Sequence, residues 1–311
     1  MEEPTIRLLH SRGHDETVRI RDRRDLYRVR HGIYISSDAW RQLTPWQRYE
    51  ARVRAFLYRS PDAVLCLESA ACLLGLPLFG EPRDIHVLAI DRSSSTRSGD
   101  VVFHTSSTPR DVIDVDGVLL TSLIDTAVDL GRTLAPAPAL AIWDAVVRVG
   151  CATDALTERS NALRTTRGVR KVQWLASFAD GRAESPGESV SRAAIAWLGY
   201  PSPVLQHEVS IDGDSYRGDF WWPQARLWGE FDGYAKYRVE TNDLAALRHE
   251  KRREDRIRTR VRGFARWDLE DVITVDGLQR ALHEAGLRPR MAADGTRLAS
   301  LRRLFLNQRT T

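Results

Sequence analysis

The stretch Arg217–Tyr237, RGDFWWPQARLWGEFDGYAKY, decides how the second half of this chain folds. Phe220, Trp221, Trp222, Leu227, Trp228 and Phe231 are residues that strands favour, and they flank Pro223–Arg226, a natural four-residue loop. A β-hairpin follows. Yet Asp219, Glu230 and Asp232 sit inside the same apolar strands. A carboxylate buried beside tryptophan is costly unless something pairs with it.

If the loop is Pro223–Arg226, Trp222 faces Leu227 and Asp219 faces Glu230, with Cβ atoms roughly 5 Å apart. Side chains alternate along a strand, so Glu230 and Asp232 share a face. A slip of one residue would carry Asp219 to the other face. Like charges gathered so closely require either a protonated carboxyl or a cation. An oxygen-only cluster without His or Cys suits Mg²⁺ or Mn²⁺, with Asp219, Glu230 and Asp232 as its ligands. Such an ion polarises a phosphoryl oxygen and activates a water. Lys236, after the turn Gly233–Ala235, is placed to orient that water or to offset charge on the phosphate. The expected catalytic set is Asp219, Glu230, Lys236 and Glu188.

Each of these residues also has a structural reading. Asp219 can bind a backbone N–H or Arg217, and Glu230 can pair with Arg226 or Arg217. Asp232–Gly233 is a common turn dipeptide. Glu188 lies at the start of a helix opened by Ser185–Pro186, where the helix dipole favours a carboxylate and Arg192 stands four residues on.

Outward from the hairpin, the order is a helix (Glu188–Leu198), a strand (Leu205–Ile211), a turn, the two hairpin strands, a long charged helix (Asn242–Arg260), a strand near Phe264–Trp267 and a final helix. This α-β-β-β-α-β order predicts an α/β unit around a small mixed sheet. The charged helix and its continuation carry Arg248, Lys251, Arg252, Arg253, Arg256, Arg258, Arg260, Arg262 and Arg266, only partly offset by Glu250, Glu254 and Asp255. A charge run of this kind is either a solvated face with internal ion pairs or a phosphate-contacting surface. Its coincidence with the carboxylates favours the second, with Arg248, Lys251, Arg252 and Arg256 as nucleic-acid contacts.

Upstream, Leu26–Ser36 alternates as a short arginine-rich hairpin, and Thr44–Pro45 caps a helix. Glu68–Pro77 reads as a short helix closed by Gly75, with strands on either side of the polar loop Asp91–Asp100. A further strand precedes a helix from Ser122, and an amphipathic helix stops at Gly150. The Gly/Ser/Pro-rich stretch Ala179–Ser189 is the expected boundary before the last domain. The segments expected are 1–60, 61–180 and 181–311.

The chain has 311 residues, 42% of them hydrophobic, which is ample for globular cores. No apolar run approaches membrane-spanning length and no signal pattern opens the chain, so no membrane association is expected. Cys66, Cys72 and Cys151 are odd in number and form no C-x-x-C pair, which points to a reducing cytoplasm. The net charge is only +4. Lysine occurs only at positions 171, 236 and 251, so a lysine beside a carboxylate cluster is notable. No glycine-rich nucleotide-binding motif is present.

An Asp in one strand, an acidic residue in the next and a nearby lysine resemble the PD-(D/E)xK nuclease core. Residues 185–275 are similar to the very-short-patch-repair-like endonuclease domains found at the C-terminus of many actinobacterial proteins. The resemblance implies a restriction-endonuclease-like fold, with Asp219 and Glu230 as metal ligands and Glu188 as an accessory acid. Asp232 or Lys236 would complete the site. In the motif the lysine stands two residues after the acidic residue; here Asp232 occupies that position, and Lys236 or Lys251 would have to replace it. Residues 20–150 resemble the antitoxins of type IV (AbiEi-type) toxin–antitoxin systems. That resemblance implies a winged-helix-like segment before an α+β domain, operator DNA and a protein toxin as partners, and Arg28, Arg30 and His31 as wing residues. The expectation is therefore a metal-dependent DNA endonuclease, or else a non-catalytic DNA-binding regulator or antitoxin, of unspecified oligomeric state.

Overall fold

The computed structural model describes residues 6–10, 25–90, 93–233 and 244–306, with backbone alone at 244–250 and 303–306. The chain is a mixed α/β protein and divides into two units. One comprises 1–133 and 154–172, the other 134–153 and 173–311. The chain thus crosses between units at 133–134, 153–154 and 172–173, rather than at the stretch after Ala179.

In the first unit β1 (Leu9–His10), β2 (Leu26–Arg30) and β3 (Ile33–Ser36) form an antiparallel sheet with β3 in the centre. Gly32, at φ 78°, supplies the left-handed turn between β2 and β3. Next come α1 (Ser37–Gln42) and α2 (Pro45–Leu57), the latter opened by the Thr44–Gln47 capping box and by proline at its first turn. After α3 (Leu67–Leu73), the strands β4 (Ile85–Leu88), β5 (Thr96–Ser98) and β6 (Val101–His104) pair in the order β4-β6-β5, with β4 parallel to β6. The polar loop expected at Asp91–Asp100 therefore contains a short exposed edge strand, β5. A hairpin of β7 (Val112–Val115) and β8 (Val118–Thr121) leads to α4 (Leu123–Thr133). Leu65 bridges Val87 and Leu120, which joins the two strand sets over a core containing Tyr49, Phe56, Leu65, Ile85 and Leu120.

In the second unit α5 (Pro136–Arg148) lies before α6 (Thr153–Asn161), most of which belongs to the first unit, and α7 (Val169–Phe178) spans the crossing. Then follow α8 (Pro186–Trp197), β9 (Val204–Ile211), β10 (Asp214–Trp222), β11 (Leu227–Asp232), α9 (Leu244–Arg258) and β12 (Gly263–Asp268). The helices α10 (Leu269–Thr274), α11 (Asp276–Glu284) and α12 (Gly295–Leu306) stand where a single final helix was expected. The sheet order is β12-β11-β10-β9, antiparallel except for the parallel pair β11–β12.

The stretch read as a boundary is pinned down by buried polar contacts. Asp144 on α5 accepts from the Asp180 amide at 2.8 Å and from Arg192 of α8 at 2.7 Å, and Arg148 donates to the Ala183 carbonyl. A Gly/Ser/Pro composition says that the stretch is irregular, not that it is loose.

Two glycines let aromatic rings close over the sheet. A Cβ on Gly187 would stand 2.1 Å from the Phe231 ring, and one on Gly229 would stand 2.7 Å from Trp267. These contacts, with the Trp267 indole donating to Ser191, place α8 on the Phe231 and Trp267 face of the sheet.

Candidate functional site

The hairpin register is the one expected from the loop. Trp222 pairs with Leu227, Trp221 with Trp228 and Phe220 with Gly229. Continued by one step, Asp219 lies across from Glu230. Alternation puts Trp228, Glu230 and Asp232 on one face of β11, and Ile257 of α9 is buried against Trp228 on that side. The opposite face carries Leu227 and Phe231.

Glu230 is the centre of this face and is almost fully buried. Its Oε1 accepts from the Trp228 indole at 3.1 Å and lies 2.9 Å from Arg253 of α9. Its Oε2 accepts from Arg266 of β12 at 2.8 Å. Burial alone would raise its pKa, but the charge of Arg253 and the hydrogen bonds from Arg266, Trp228 and Arg253 outweigh it. The carboxyl is held below its ordinary value. The compensation for this buried acid is thus a pair of arginines. An ion pair was the structural reading of Glu230, but neither Arg226 nor Arg217 supplies it. Arg226 donates to the Arg260 carbonyl, and Arg217 pairs with Glu184.

Asp219 Oδ2 accepts from the Phe231 amide at 2.8 Å, closing the hairpin one step beyond its ladder. This is the backbone role read as its structural alternative. Asp232 is the last residue of β11 rather than a turn residue, and its carboxylate lies 3.5 Å from Arg266. Glu188, in the first turn of α8, accepts from the Glu184 amide and from Gln206, at 3.0 and 2.9 Å. Its expected partner Arg192 is engaged by Asp144 instead. Gln206 stands across β10 from Asp219 with φ of 51°, a left-handed conformation that interrupts the β9–β10 ladder. Such local strain concentrates at functional sites.

Asp219, Glu230 and Asp232, expected to bind Mg²⁺ or Mn²⁺ together, do not form a metal-holding group. Among the described residues no three His, Cys, Asp or Glu side chains are so arranged. The physical reason lies in the contacts above, since both oxygens of Glu230 and one of Asp219 are already engaged by protein donors. In this arrangement the set does not fit a divalent ion, which needs several such oxygens at once. Lys236 lies outside the described residues.

No family model matches the chain. It is 33% identical over 211 residues to Rv2248, an uncharacterized protein of Mycobacterium tuberculosis, across 67% of this chain and 73% of that protein. The uncharacterized protein MT2308 of another strain of the same species matches to the same extent. This chain belongs to their family.

The basic helix of this family member is engaged unevenly. Lys251 and Arg252 are exposed. Arg256, also exposed, pairs with Asp214 and donates to the Tyr216 hydroxyl at 2.9 Å. Arg258 pairs with Glu254 and stacks over Phe264. The side chain of Arg248 lies outside the described residues. Among the wing residues Arg30 pairs with Asp100 at 2.6 Å and lies over the Phe56 ring.

Arg253, Arg266 and Gln206 are the site residues that the sequence did not single out. The two arginines stood inside the basic run. The role of Arg266 depends on β12 lying parallel to β11, which sets it directly beside Glu230, and that of Arg253 on α9 lying over the same strand. A second polar cluster, in the first unit, was also missed. His86 Nδ1 lies 2.8 Å from His104 Nε2, and His86 Nε2 lies 3.4 Å from Glu68. Burial lowers the pKa of both imidazoles and raises that of Glu68.

Among the described residues no helix is long and apolar enough to cross a membrane. The three cysteines are free thiols.

Proposed function

We propose that the second unit is a DNA-binding domain on a nuclease-like core, and that it serves binding rather than cleavage, as a regulator does. The observation that carries this reading is the engagement of Glu230 by Arg253 and Arg266, which leaves the central acid of the site satisfied without a metal. The exposed Lys251 and Arg252, with Arg256 one turn on, supply cations for phosphate. The free thiols are consistent with a cytoplasmic protein. A protein toxin as partner belongs to this reading through the antitoxin resemblance of the first unit. Co-purification with the product of an adjacent gene tests it.

A second reading is a Mg²⁺- or Mn²⁺-dependent endonuclease. It is favoured by the order α8–β9–β10–β11–α9–β12 and by the register that sets Asp219 across from Glu230. It requires Glu230 to leave its arginines.

One experiment separates the two. The purified protein is incubated with plasmid, single-stranded and mismatched DNA, with and without Mn²⁺, beside Asp219→Ala and Glu230→Ala. The regulator reading expects salt-sensitive binding, no divalent requirement and intact DNA. Cleavage that needs Mn²⁺ and vanishes in both variants replaces it with the endonuclease.

A further inference from the structure

Trp221 and Trp228 pair across the β10–β11 hairpin, and His207 of β9 lies against both. The His207 and Trp221 rings are stacked, with centroids 5.1 Å apart and planes within 8°. Trp228 meets Trp221 edge-on, with centroids 6.1 Å apart. These three rings, with Val209, Arg226 and Arg260, line a pocket of about 260 Å³, and no lining residue is acidic. His207 and Trp221 are half-buried, while Arg226 and Arg260 are exposed. Arg226 is held in place by donating to the Arg260 carbonyl at 2.7 Å. Arg260 has only a loose contact with Asp212, at 3.7 Å.

We propose that this pocket binds an unpaired nucleobase of single-stranded DNA, with Arg226 and Arg260 on its flanking phosphates. The proposal rests on the DNA-binding reading above and names the strand state that the domain selects. Three features carry it. A third planar ring would extend the His207–Trp221 stack, the arrangement by which single-strand binders hold bases. The rim cations and the acid-free lining suit a planar ligand that bears negative charge. A base within a duplex has both faces covered by its neighbours, so only an unstacked one can enter a pocket closed on one side. The pocket is also tied to the acidic site, because the indole N–H of Trp228 is the donor to Glu230. Trp228 thus lines the pocket with its ring and reaches Glu230 with its indole N–H.

The test is a titration of the full-length protein with a fluorescein-labelled thymidine homopolymer and with a matched duplex of equal length. Anisotropy and tryptophan fluorescence are read at two salt concentrations. The single strand is expected to bind at least tenfold more tightly than the duplex and to quench tryptophan emission. Stacking of one base is worth about 1–3 kcal/mol, so Trp221→Ala should weaken single-strand binding roughly 5- to 150-fold. Trp221→Phe should restore most of the loss, and duplex binding should not change in either variant. His207→Ala is the second variant, should Trp221→Ala fail to fold. Equal affinity for strand and duplex, or wild-type single-strand binding by the folded variants, overturns the proposal and leaves the DNA-binding reading standing. If neither DNA binds at low salt, the DNA-binding reading itself falls and takes this one with it.

Discussion

Arg253 of α9 and Glu230 of β11 form a 2.9 Å ion pair that fastens the charged helix to the centre of the sheet. Arg253 also donates to the Arg217 carbonyl of β10, so one guanidinium links α9 to two neighbouring strands. Arg266 holds the other oxygen of the same carboxylate from β12. Glu230 is therefore a junction between the hairpin, the parallel edge strand and the helix.

This junction sets an order among substitutions. Glu230→Ala leaves two guanidinium groups facing a cavity, and a broken buried pair costs about 3–5 kcal/mol. Arg253→Ala leaves the carboxylate still held by Arg266 and Trp228, so its cost should be nearer that of one charged hydrogen bond, about 1.5–3 kcal/mol. Urea unfolding of both single variants and the double variant measures the coupling. A double variant no less stable than Glu230→Ala alone is expected. Fully additive losses would show that the pair is not coupled.

The acid limb of stability should carry the same signature. The folded-state pKa of Glu230 lies below its ordinary value near 4.5. The unfolded chain thus binds the proton more readily, and stability rises with pH across that interval. The contribution of Glu230 is fully present above about pH 4.5 and is lost as pH falls through the depressed folded value. Denaturant midpoints between pH 3 and 6 should fall less steeply for Glu230→Gln than for the wild type. Parallel curves would remove Glu230 from the acid response.

Much of this region was legible in the sequence, for a physical reason. Strand alternation and a four-residue loop fix register locally, so Trp222–Leu227 and the Asp219–Glu230 alignment followed from spacing alone. The element order from α8 to β12 followed from periodicity, with ends shifted by a residue or two, while the single helix expected after it is three, α10 to α12. What neutralises Glu230 was not legible. Arg266 reaches it because β12 returns parallel to β11 and Arg253 because α9 packs over β11, and a basic run gives no hint of which of its members turn inward. The pinned stretch after Ala179 was misread for a similar reason, since Asp144, which fastens it, lies 36 residues upstream. The strands β5 and β7 escaped because they are short and largely exposed, with little apolar periodicity to betray them.

The first unit should respond at milder pH. His86 and His104 share a 2.8 Å N···N hydrogen bond, which needs at least one of the facing nitrogens unprotonated. Burial holds both pKa values below the ordinary 6.5, and for His104 the neighbouring His86 adds to the effect. The neutral forms are favoured on folding, so this contribution is present above about pH 6.5 and is lost as pH falls toward the depressed folded values. Glu68, whose pKa burial raises, and Asp84, whose pKa Arg97 lowers, lie beside the pair, and their charges act on it in turn. The difference between wild type and His104→Gln reads His104 together with its coupling to these carboxylates. Thermal unfolding between pH 5 and 7.5 should show the wild type losing more stability toward pH 5 than the variant.

On the proposed DNA-binding reading, salt dependence should separate the exposed cations of α9. Each phosphate contact contributes about 0.9 to the slope of log K against log salt on duplex DNA. Arg252 is exposed, so a phosphate contact made by it should disappear in Arg252→Ala with a slope reduced by about 0.9. Arg256 is already held by Asp214 and the Tyr216 hydroxyl, and phosphate must compete with that carboxylate for its guanidinium. Arg256→Ala should therefore change the slope by less than Arg252→Ala. Asp214→Asn, which removes the competing charge while the Tyr216 hydroxyl stays, should strengthen binding and steepen the slope. Filter binding between 50 and 300 mM KCl measures all three, and an Asp214→Asn variant that binds no more tightly would remove Arg256 from the contact surface.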